Sequence, residues 1–310
     1  NFFTTSGFRG SDEFYRSINM IDNMTDLKGE IVLGSDWHLG CWYGRGSTKS
    51  QIMNKKKDMS PIAFAQNYES KWVGSVDGAL VNINKLLKLR NLTNAKLKGD
   101  KDKEYILAVD VARSQSQNNN QSSVAVIEII RSKNGRIVEL NLVNIISISN
   151  ASNFTSQAIE VKKIKKAFNA KKVIVDSNGL GVGLVDELMK ESFDPITGDS
   201  LGCWDTENTE AQPEIKNVEK CIYDLKPQSA NSDIIVAFID MVESGKLRLL
   251  EKRQDNGYDL MDKDNYVENI LPFIQTDLFV EEVANLQIKY LANNKLSIEK
   301  VVKKYDKDRF

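Results

Sequence analysis

Two aspartates, each at the end of a short apolar stretch, are the residues best suited to chemistry. Asp110 follows residues 105–109 (Tyr-Ile-Leu-Ala-Val), and Asp176 follows residues 173–175 (Val-Ile-Val). Such runs predict strands buried on both faces, where an ionised carboxylate is costly, so each Asp is expected where its strand leaves the core. If the two strands are neighbours, their carboxylates converge and repel by roughly 4 kcal/mol at about 4 Å and an effective dielectric near 20.

A converging pair of this kind either shares a proton or holds a cation, and oxygen-only ligands favour Mg²⁺ or Mn²⁺. The alternative is that Asp110 and Asp176 are unrelated, because Asp often begins a turn.

Two other features are weaker candidates for a site. Residues 44–50 (Gly-Arg-Gly-Ser-Thr-Lys-Ser) resemble a phosphate-binding loop, but Thr48 stands where the motif requires a glycine before Lys49. We therefore expect a polar surface loop. His38 is the single histidine and has no second His or Cys at ligand spacing, which indicates an ordinary packed or surface residue.

Bulk composition narrows the class of protein. The chain has 310 residues, 41% of them hydrophobic, and a formal net charge of −1. This length predicts two domains, and near-neutrality means that any nucleic-acid contact must come from local basic patches. No stretch resembles a membrane span. Three widely spaced cysteines argue against a zinc site or a disulfide framework and fit a reducing cytoplasm. Because Asn1 stands in place of Met and the chain ends just after Asp308, we expect a fragment of a longer protein.

The elements that must position the two aspartates lie in the second of two predicted domains. The division places a first domain at 1–75, a linker at 76–103 and a second domain at 104–310. In the first domain we expect a strand at 30–35 and a helix at 60–68. In the second we expect strands at 105–112, 123–130, 137–148, 172–176 and 218–225, and helices at 152–168, after 183, from Ser232 and at 277–290. Asn134-Gly135 is a strong hairpin signal between the second and third of these strands.

This order of elements matches an α/β, ribonuclease H-like fold, a mixed five-stranded sheet with flanking helices. In that fold the first and fourth strands lie side by side at the centre of the sheet. Asp110 and Asp176 are then expected to meet, which favours the cation site over the turn interpretation.

The residues around these aspartates resemble the nuclease motifs of the large terminase subunit of tailed bacteriophages, a DNA-packaging motor and nuclease. Residues 105–112 are similar to the first motif, and residues 173–188, including the alternating glycines 179, 181 and 183, to the second. Residues 276–282 followed by 305–310, which contain Lys307-Asp308-Arg309, resemble the third. More weakly, residues 4–7 and 64–72 resemble the end of that family's ATPase domain.

The resemblance implies a metal-dependent DNA endonuclease that cuts concatemeric DNA at the initiation and termination of packaging, preceded by a partial P-loop ATPase region. Two Mg²⁺ or Mn²⁺ ions are implied. By position, Asp110 would bridge them, while Asp176 and Asp308 would each complete one coordination sphere. Asp306 is the alternative third ligand.

The resemblance also implies contacts to DNA phosphates. These expected contacts are Arg113, Lys162, Lys163, Lys166, Gly181, Lys304 and Lys307. For the lysines at 162–166 a solvated helix face is the alternative interpretation. The implied partners are double-stranded DNA, a portal protein, a small terminase subunit and further copies in a ring on the capsid portal. The implied location is the host bacterial cytoplasm, with no membrane.

Two departures from the family pattern limit these expectations. Residues 118–123 offer only amides and hydroxyls where the family often has a further acid, and no ATP-binding loop is present, so we expect no ATP hydrolysis. The competing interpretations are another ribonuclease H-like nuclease or resolvase, and a catalytically silent assembly or DNA-binding module. An actin-like or sugar-kinase ATPase is disfavoured, because Val111-Ala112 supplies no phosphate-clamping glycine after Asp110.

Overall fold

The structure is a computed structural model that describes residues 6–44, 46–59, 61–73, 78–111, 122–148, 153–177, 179–210, 212–252, 266–291, 295–303 and 309–310. It divides into two compact units, residues 1–88 with 280–306, and residues 89–279 with 307–310. The division after residue 88 falls inside the predicted linker, whereas the grouping of 280–306 with the first unit has no counterpart in the sequence analysis. Among the described residues, no helix has the length and apolar character needed to cross a bilayer.

The helices in chain order are α1 (Asp12–Thr25), α2 (Trp37–Trp42), α3 (Lys49–Asp58), α4 (Pro61–Asn67), α5 (Ile83–Lys88), α6 (Phe154–Phe168), α7 (Gly181–Leu188), α8 (Pro227–Glu243) and α9 (Tyr266–Ala284). The strands are β1 (Arg90–Leu92), β2 (Glu104–Asp110), β3 (Ser122–Arg131), β4 (Ile137–Ile148), β5 (Lys172–Asp176), β6 (Trp204–Thr206), β7 (Glu219–Leu225), β8 (Leu247–Leu250), β9 (Leu286–Tyr290) and β10 (Leu296–Lys300).

The second unit is built on one sheet with the strand order β1-β8-β4-β3-β2-β5-β7-β6. Its five central strands, β4-β3-β2-β5-β7, have the ribonuclease H-like arrangement predicted from the sequence. In that arrangement β2 pairs antiparallel with β3 and parallel with β5, and β3 pairs antiparallel with β4. The sheet has eight strands where five were predicted, because β8 and β1 extend it beyond β4, and β6 extends it beyond β7.

Local sequence explains most of these elements. Gly135 adopts a φ of +76°, and the Ser132 N–H donates to the Arg136 carbonyl at 2.8 Å, which closes the predicted hairpin between β3 and β4. The Asn153 side chain caps α6 by accepting from the Ser156 N–H at 2.8 Å. Helix α8 begins at Pro227, five residues before the predicted cap at Ser232, as the preference of Pro for a first helical turn explains.

One apolar cluster fills a face of this sheet. Alternate residues of β2, namely Tyr105, Leu107 and Val109, are buried with Val173 and Val175 of β5. Side chains from α6 and α7 cover them, among them Val161, Phe168, Leu184 and Leu188. Period-two burial of this kind leaves the intervening residues of β2 and β5, including their terminal aspartates, on the other face of the sheet.

The first unit contains α1 to α5 and the antiparallel pair β9 and β10. The predicted strand at 30–35 is wrong, because these residues form no regular element. The predicted helix at 277–290 is wrong in its second half, where α9 ends at Ala284 and β9 follows. Thr48 and Gln51 form a reciprocal capping box at the start of α3, which gives the residues after the P-loop-like glycines a structural role.

His38 lies at the surface, as expected. Its ring nitrogen Nδ1 lies 2.9 Å from the Asp36 carboxylate, and its ring stacks on Trp37 with centroids 3.7 Å apart.

Candidate functional site

The paired register of β2 and β5 brings Asp110 and Asp176 to the same edge of the sheet. Val109 pairs with Val175 in the parallel ladder, and each aspartate is the next residue on its strand. Because neighbouring strands lie about 4.8 Å apart, the two carboxylates occupy adjacent positions at the carboxyl ends of adjacent strands. Asp110 is exposed and Asp176 is partly buried. The strand ends that carry Asp110 and Asp176 are therefore neighbours, as the sequence predicts.

Hydroxyl groups fix the backbone around the two aspartates. Ser123 is the antiparallel partner of Asp110. The neighbouring Ser122 donates from Oγ to the buried Gln157 Oε1 at 3.2 Å, which ties the start of β3 to α6. Both serines belong to residues 118–123, which offer only amides and hydroxyls as polar side-chain groups.

The end of β5 is tied to the end of β7. Ser177 donates to the Leu225 carbonyl from both its N–H (2.9 Å) and its Oγ (3.1 Å). The backbone immediately after Asp176 is thus hydrogen-bonded to the end of β7.

The three alternating glycines after Asp176 have distinct structural causes. Gly179 adopts a φ of +63°. At Gly181, an added Cβ would lie 1.7 Å from the carbonyl oxygen of Asp176, and at Gly183 it would lie 2.7 Å from the ring of Phe154. The first turn of α7 therefore rests directly on the backbone of Asp176. The close approach that the glycines predicted is made by this chain's own backbone and by an aromatic ring of α6.

The donor set suits a hard divalent cation, since two neighbouring carboxylates supply oxygen ligands and a charge that a cation would offset. In the part of the chain that the structure describes, no group of three His, Cys, Asp or Glu side chains is gathered at metal-binding distance. Asp308 and its alternative Asp306 lie outside the described residues, as do Arg113, Lys304 and Lys307. These five residues stay predictions.

The two residues that follow Asp308 are described. Arg309 donates from Nε to Gln275 Oε1 at 2.6 Å, and the ring of Phe310 packs edge-on against Phe238 with centroids 4.9 Å apart. These contacts fasten residues 309–310 to α8 and α9.

Asp277, part of the stretch that resembled a third motif, has a structural partner. Arg90 donates to it and to the carbonyls of Leu250 (2.9 Å) and Glu251 (2.8 Å). Asp277 therefore neutralises a buried guanidinium in the second unit.

Lys162 was predicted to contact DNA phosphate, and its position rules this out. The side chain is 1% exposed, and Nζ donates to the carbonyls of Lys190 (2.6 Å) and Gly202 (2.6 Å) and to Ser192 Oγ (2.8 Å). Its ammonium also lies 5.4 Å from the centre of the Trp204 ring. Burial lowers the pKa of this ammonium. Lys162 serves the packing of residues 190–202 on α6 and is unavailable to a ligand.

Lys163 and Lys166 are accessible but lie away from the two aspartates. Lys163 Nζ lies 4.0 Å from the Asp194 carboxylate, and Lys166 Nζ lies 3.7 Å from that of Asp199. Gln157 of α6 contacts Ser122, the neighbour of the residue that pairs with Asp110, so this end of α6 is the end nearer the two aspartates. At 1.5 Å per residue, Lys163 and Lys166 lie about 9 and 14 Å further along the helix.

Comparison with known proteins gives structural similarity only. No protein-family model matches the chain, and no curated protein matches it. Among solved structures, the chain is similar to the large terminase nuclease from thermophilic phage G20c with bound magnesium, at 12% identity and a TM-score of 0.45, over 76% of this chain and 94% of that one. It is also similar to the cobalt-bound form of that nuclease, at 10% identity and a TM-score of 0.43, over 73% and 89%. For the HK97 bacteriophage large terminase the identity is 9% and the TM-score 0.41, over 95% of this chain and 58% of that one. At these values the similarity assigns no activity to the chain, and the fold rests on the strand order itself.

Lys162→Met tests the structural role of the buried ammonium. The substitution keeps the hydrophobic stem but leaves three oxygen acceptors without a donor, while it also removes the cost of burying a charge. We expect the first effect to dominate and the free energy of unfolding to fall by about 1–3 kcal/mol. Denaturant titration measures this. Lys166→Met, at a side chain 61% exposed, is the matched control and should change stability by less than about 0.5 kcal/mol. Equal stability of both variants would contradict the structural role.

Gly181→Ala tests the contact between α7 and Asp176. A methyl group placed 1.7 Å from a backbone oxygen forces the helix or the strand end to move. We expect a loss of about 1–3 kcal/mol in the free energy of unfolding, against the small gain that Ala normally brings to a helix. The control is Gly34→Ala, where an added Cβ meets nothing within 4 Å. Wild-type stability in Gly181→Ala would show that the contact imposes no constraint.

Proposed function

We propose that this chain is a metal-dependent DNA endonuclease, the nuclease region of a viral DNA-packaging terminase large subunit. The observation that carries the proposal is the placement of Asp110 and Asp176 at adjacent positions on neighbouring parallel strands. Two carboxylates on adjacent strand ends supply the oxygen ligands that a hard divalent cation prefers. The resemblance of residues 105–112 and 173–188 to the terminase nuclease motifs supports the choice among ribonuclease H-like enzymes.

In this proposal Asp110 and Asp176 would hold two Mg²⁺ or Mn²⁺ ions, with Asp110 as the shared ligand. Asp308, or alternatively Asp306, would be the third carboxylate ligand. When bound, such ions activate water and offset charge on the reacting phosphate. The chain's own part is to fix the two carboxylates, through the ladder between β2 and β5, the Ser177 hydrogen bonds to β7 and the seat of α7 on Asp176.

The DNA would be held by groups around this edge of the sheet. Helix α7 begins at Gly181 with its amino end beside Asp176, and helix amino ends favour phosphate. Arg113, Lys304 and Lys307 are proposed as further phosphate contacts near the site, and Lys163 and Lys166 as more distant ones. Lys162 is excluded from the proposed phosphate contacts because its side chain is buried.

The biological setting follows from the sequence resemblance alone. The substrate would be concatemeric double-stranded DNA, cut at the start and end of packaging in the host bacterial cytoplasm. The partners would be a portal protein, a small terminase subunit and other copies of this chain in a ring on the capsid. Residues 1–75 would be the carboxyl-terminal part of an ATPase domain.

Neutralising either central aspartate tests the nuclease. We expect wild-type protein to cut plasmid DNA in Mn²⁺ and to stop when EDTA is added. Asp110→Asn and Asp176→Asn should each lower the cutting rate by at least about a hundredfold, because each removes a charge that holds the cation. Thermal unfolding should show both variants folded. Asp240→Asn, at a carboxylate 67% exposed on α8, is the control and should cut like wild type.

The same assay separates the remaining alternatives. Asp308→Asn should abolish cutting and Asp306→Asn should not, and the reverse result would assign the third position to Asp306. Undiminished cutting by the Asp110 and Asp176 variants would refute the assignment of the site. A wild-type chain that binds DNA and never cuts it, with any divalent metal, would favour a silent DNA-binding module.

A further inference from the structure

The sheet face that carries Asp110 and Asp176 continues past them onto β7. Ile174 pairs with Tyr223, and Asp176 pairs with Leu225. Side chains directly opposite each other on paired strands lie on the same face, and the face alternates along each strand. Tyr223 therefore projects from the same face as Asp176, away from the apolar cluster that α6 and α7 cover.

Tyr223 is near enough to Asp176 for one extended ligand to contact both. Neighbouring strands lie about 4.8 Å apart and rise about 3.3 Å per residue, so the Cα atoms of Tyr223 and Asp176 are about 8 Å apart. Tyr223 is 40% exposed, and its phenol ends in a hydroxyl that can donate a hydrogen bond. An accessible donor thus stands one strand away from the carboxylates, on their own face of the sheet.

Lys172 supplies a second donor on this face. It lies four residues before Asp176 on β5, hence on the same side of the strand and about 13 Å along it. Its side chain is 49% exposed, and Nζ lies 2.6 Å from the Glu207 carboxylate. The N–H of Glu207 donates to the Ile222 carbonyl at 2.8 Å, so this ion pair crosses β7 beside Tyr223. We call Tyr223 and Lys172 the donor pair.

The donor pair suits a chain of phosphates that passes over the carboxylates. A lysine ammonium has three protons, so Lys172 can donate to another oxygen while it is paired with Glu207. Phenols and ammonium groups are among the side chains that contact phosphates in protein–DNA complexes. A DNA strand carries one phosphate about every 3.4 Å along the helix axis, so phosphates two to four nucleotides from the carboxylates lie about 7–14 Å away. The separations of about 8 and 13 Å derived from the strand geometry fall in this range.

We infer that Tyr223 and Lys172 bind the backbone of the substrate DNA to one side of the phosphate that is cut, with the strand running from the carboxylates across β5 and β7. The inference rests on the proposed nuclease function. Glu207 opposes this binding, because its carboxylate repels phosphate and competes for the Lys172 ammonium. The DNA must therefore share Lys172 with Glu207, and this competition gives the inference a diagnostic consequence.

The test measures DNA binding without catalysis. The full chain carrying Asp110→Asn, here the parent, is titrated in EDTA against a short fluorescent DNA duplex over a series of salt concentrations. Tyr223→Phe removes only the hydroxyl and should weaken binding by about three- to tenfold. The slope of log affinity against log salt should stay the same, because the phenol is uncharged. Lys172→Met should weaken binding to a similar extent and lower that slope by about 1.

Glu207→Gln should have the opposite effect. Removing the competing carboxylate should tighten DNA binding by about two- to fivefold. Most of this gain should disappear when Lys172→Met is also present, since the two substitutions act through one ammonium group.

Two controls match these variants. Lys190→Met changes a lysine of similar exposure (54%) that also lies 2.6 Å from a carboxylate, that of Glu187. Lys190 follows α7, which covers the opposite face of the sheet. Tyr15→Phe removes the hydroxyl of a tyrosine that is 48% exposed in the first unit. Both variants should bind DNA like the parent, and thermal unfolding should show every variant folded.

The outcomes separate this inference from the proposed function. If the parent binds DNA and either Tyr223→Phe or Lys172→Met binds as tightly as the parent, the inference is overturned, while the nuclease proposal stands on its own cutting assay. A loss in Lys190→Met equal to that in Lys172→Met would show a general effect of charge and would overturn it as well. If the parent binds no DNA, either in EDTA or with Mg²⁺, the proposed function fails first.

Discussion

The in-register parallel pairing of β2 and β5 is the constraint on which the rest of the second unit depends. Because Val109 lies beside Val175, the residues that follow are forced into adjacent positions, and both are aspartates. A slip of one residue would turn one carboxylate into the apolar cluster, at a cost of several kcal/mol. The buried valines therefore specify the register, and the register specifies the site. Two carboxylates on adjacent strand ends form a set of oxygen donors that suits a divalent cation.

The turn after Asp176 is the second constraint on the structure around the two aspartates. A helix can start directly on a strand end only if nothing projects between them, and Gly181 meets this requirement where any Cβ would overlap the Asp176 carbonyl. Phe154 imposes the same requirement at Gly183 and so couples α6 to α7. The end of β5 and the turn after it thus position Asp176, begin α7 beside its backbone and expose the side chains of Leu180 and Val182.

Sequence analysis succeeded where the determining interactions are local or strongly patterned. The apolar strands, the Asn134-Gly135 hairpin and the order of the five central strands were predictable, and with them the meeting of Asp110 and Asp176. The strands β1 and β8, which extend the sheet beyond β4, were not, because their pairing joins residues some 160 positions apart. The predicted helix at 277–290 ends early because the Asn285 side chain binds the backbone of Val302 and β9 pairs with β10. Antiparallel pairing with the next strand in the chain overrode a helical pattern there.

Lys162 shows a different reason for failure. A lysine on an amphipathic helix predicts a solvated charge, and nothing within α6 reveals that residues 190–202 fold back over it. The ammonium is tolerated in the interior because all three of its protons are donated to oxygens and the Trp204 ring lies nearby. Its neighbours Lys163 and Lys166 pair with Asp194 and Asp199 of the same covering segment.

Electrostatics connects the site with its surroundings. The chain carries 42 basic and 43 acidic residues, so it has no global attraction for a polyanion, and the two carboxylates at the sheet edge would repel a phosphate. Of the lysines predicted to contact phosphate, Lys162 is buried, and Lys163 and Lys166 lie near the carboxylates of Asp194 and Asp199. If the chain binds DNA as proposed, the attraction would come from a cation at the carboxylates, from the amino end of α7 and from the proposed contacts Arg113, Lys304 and Lys307.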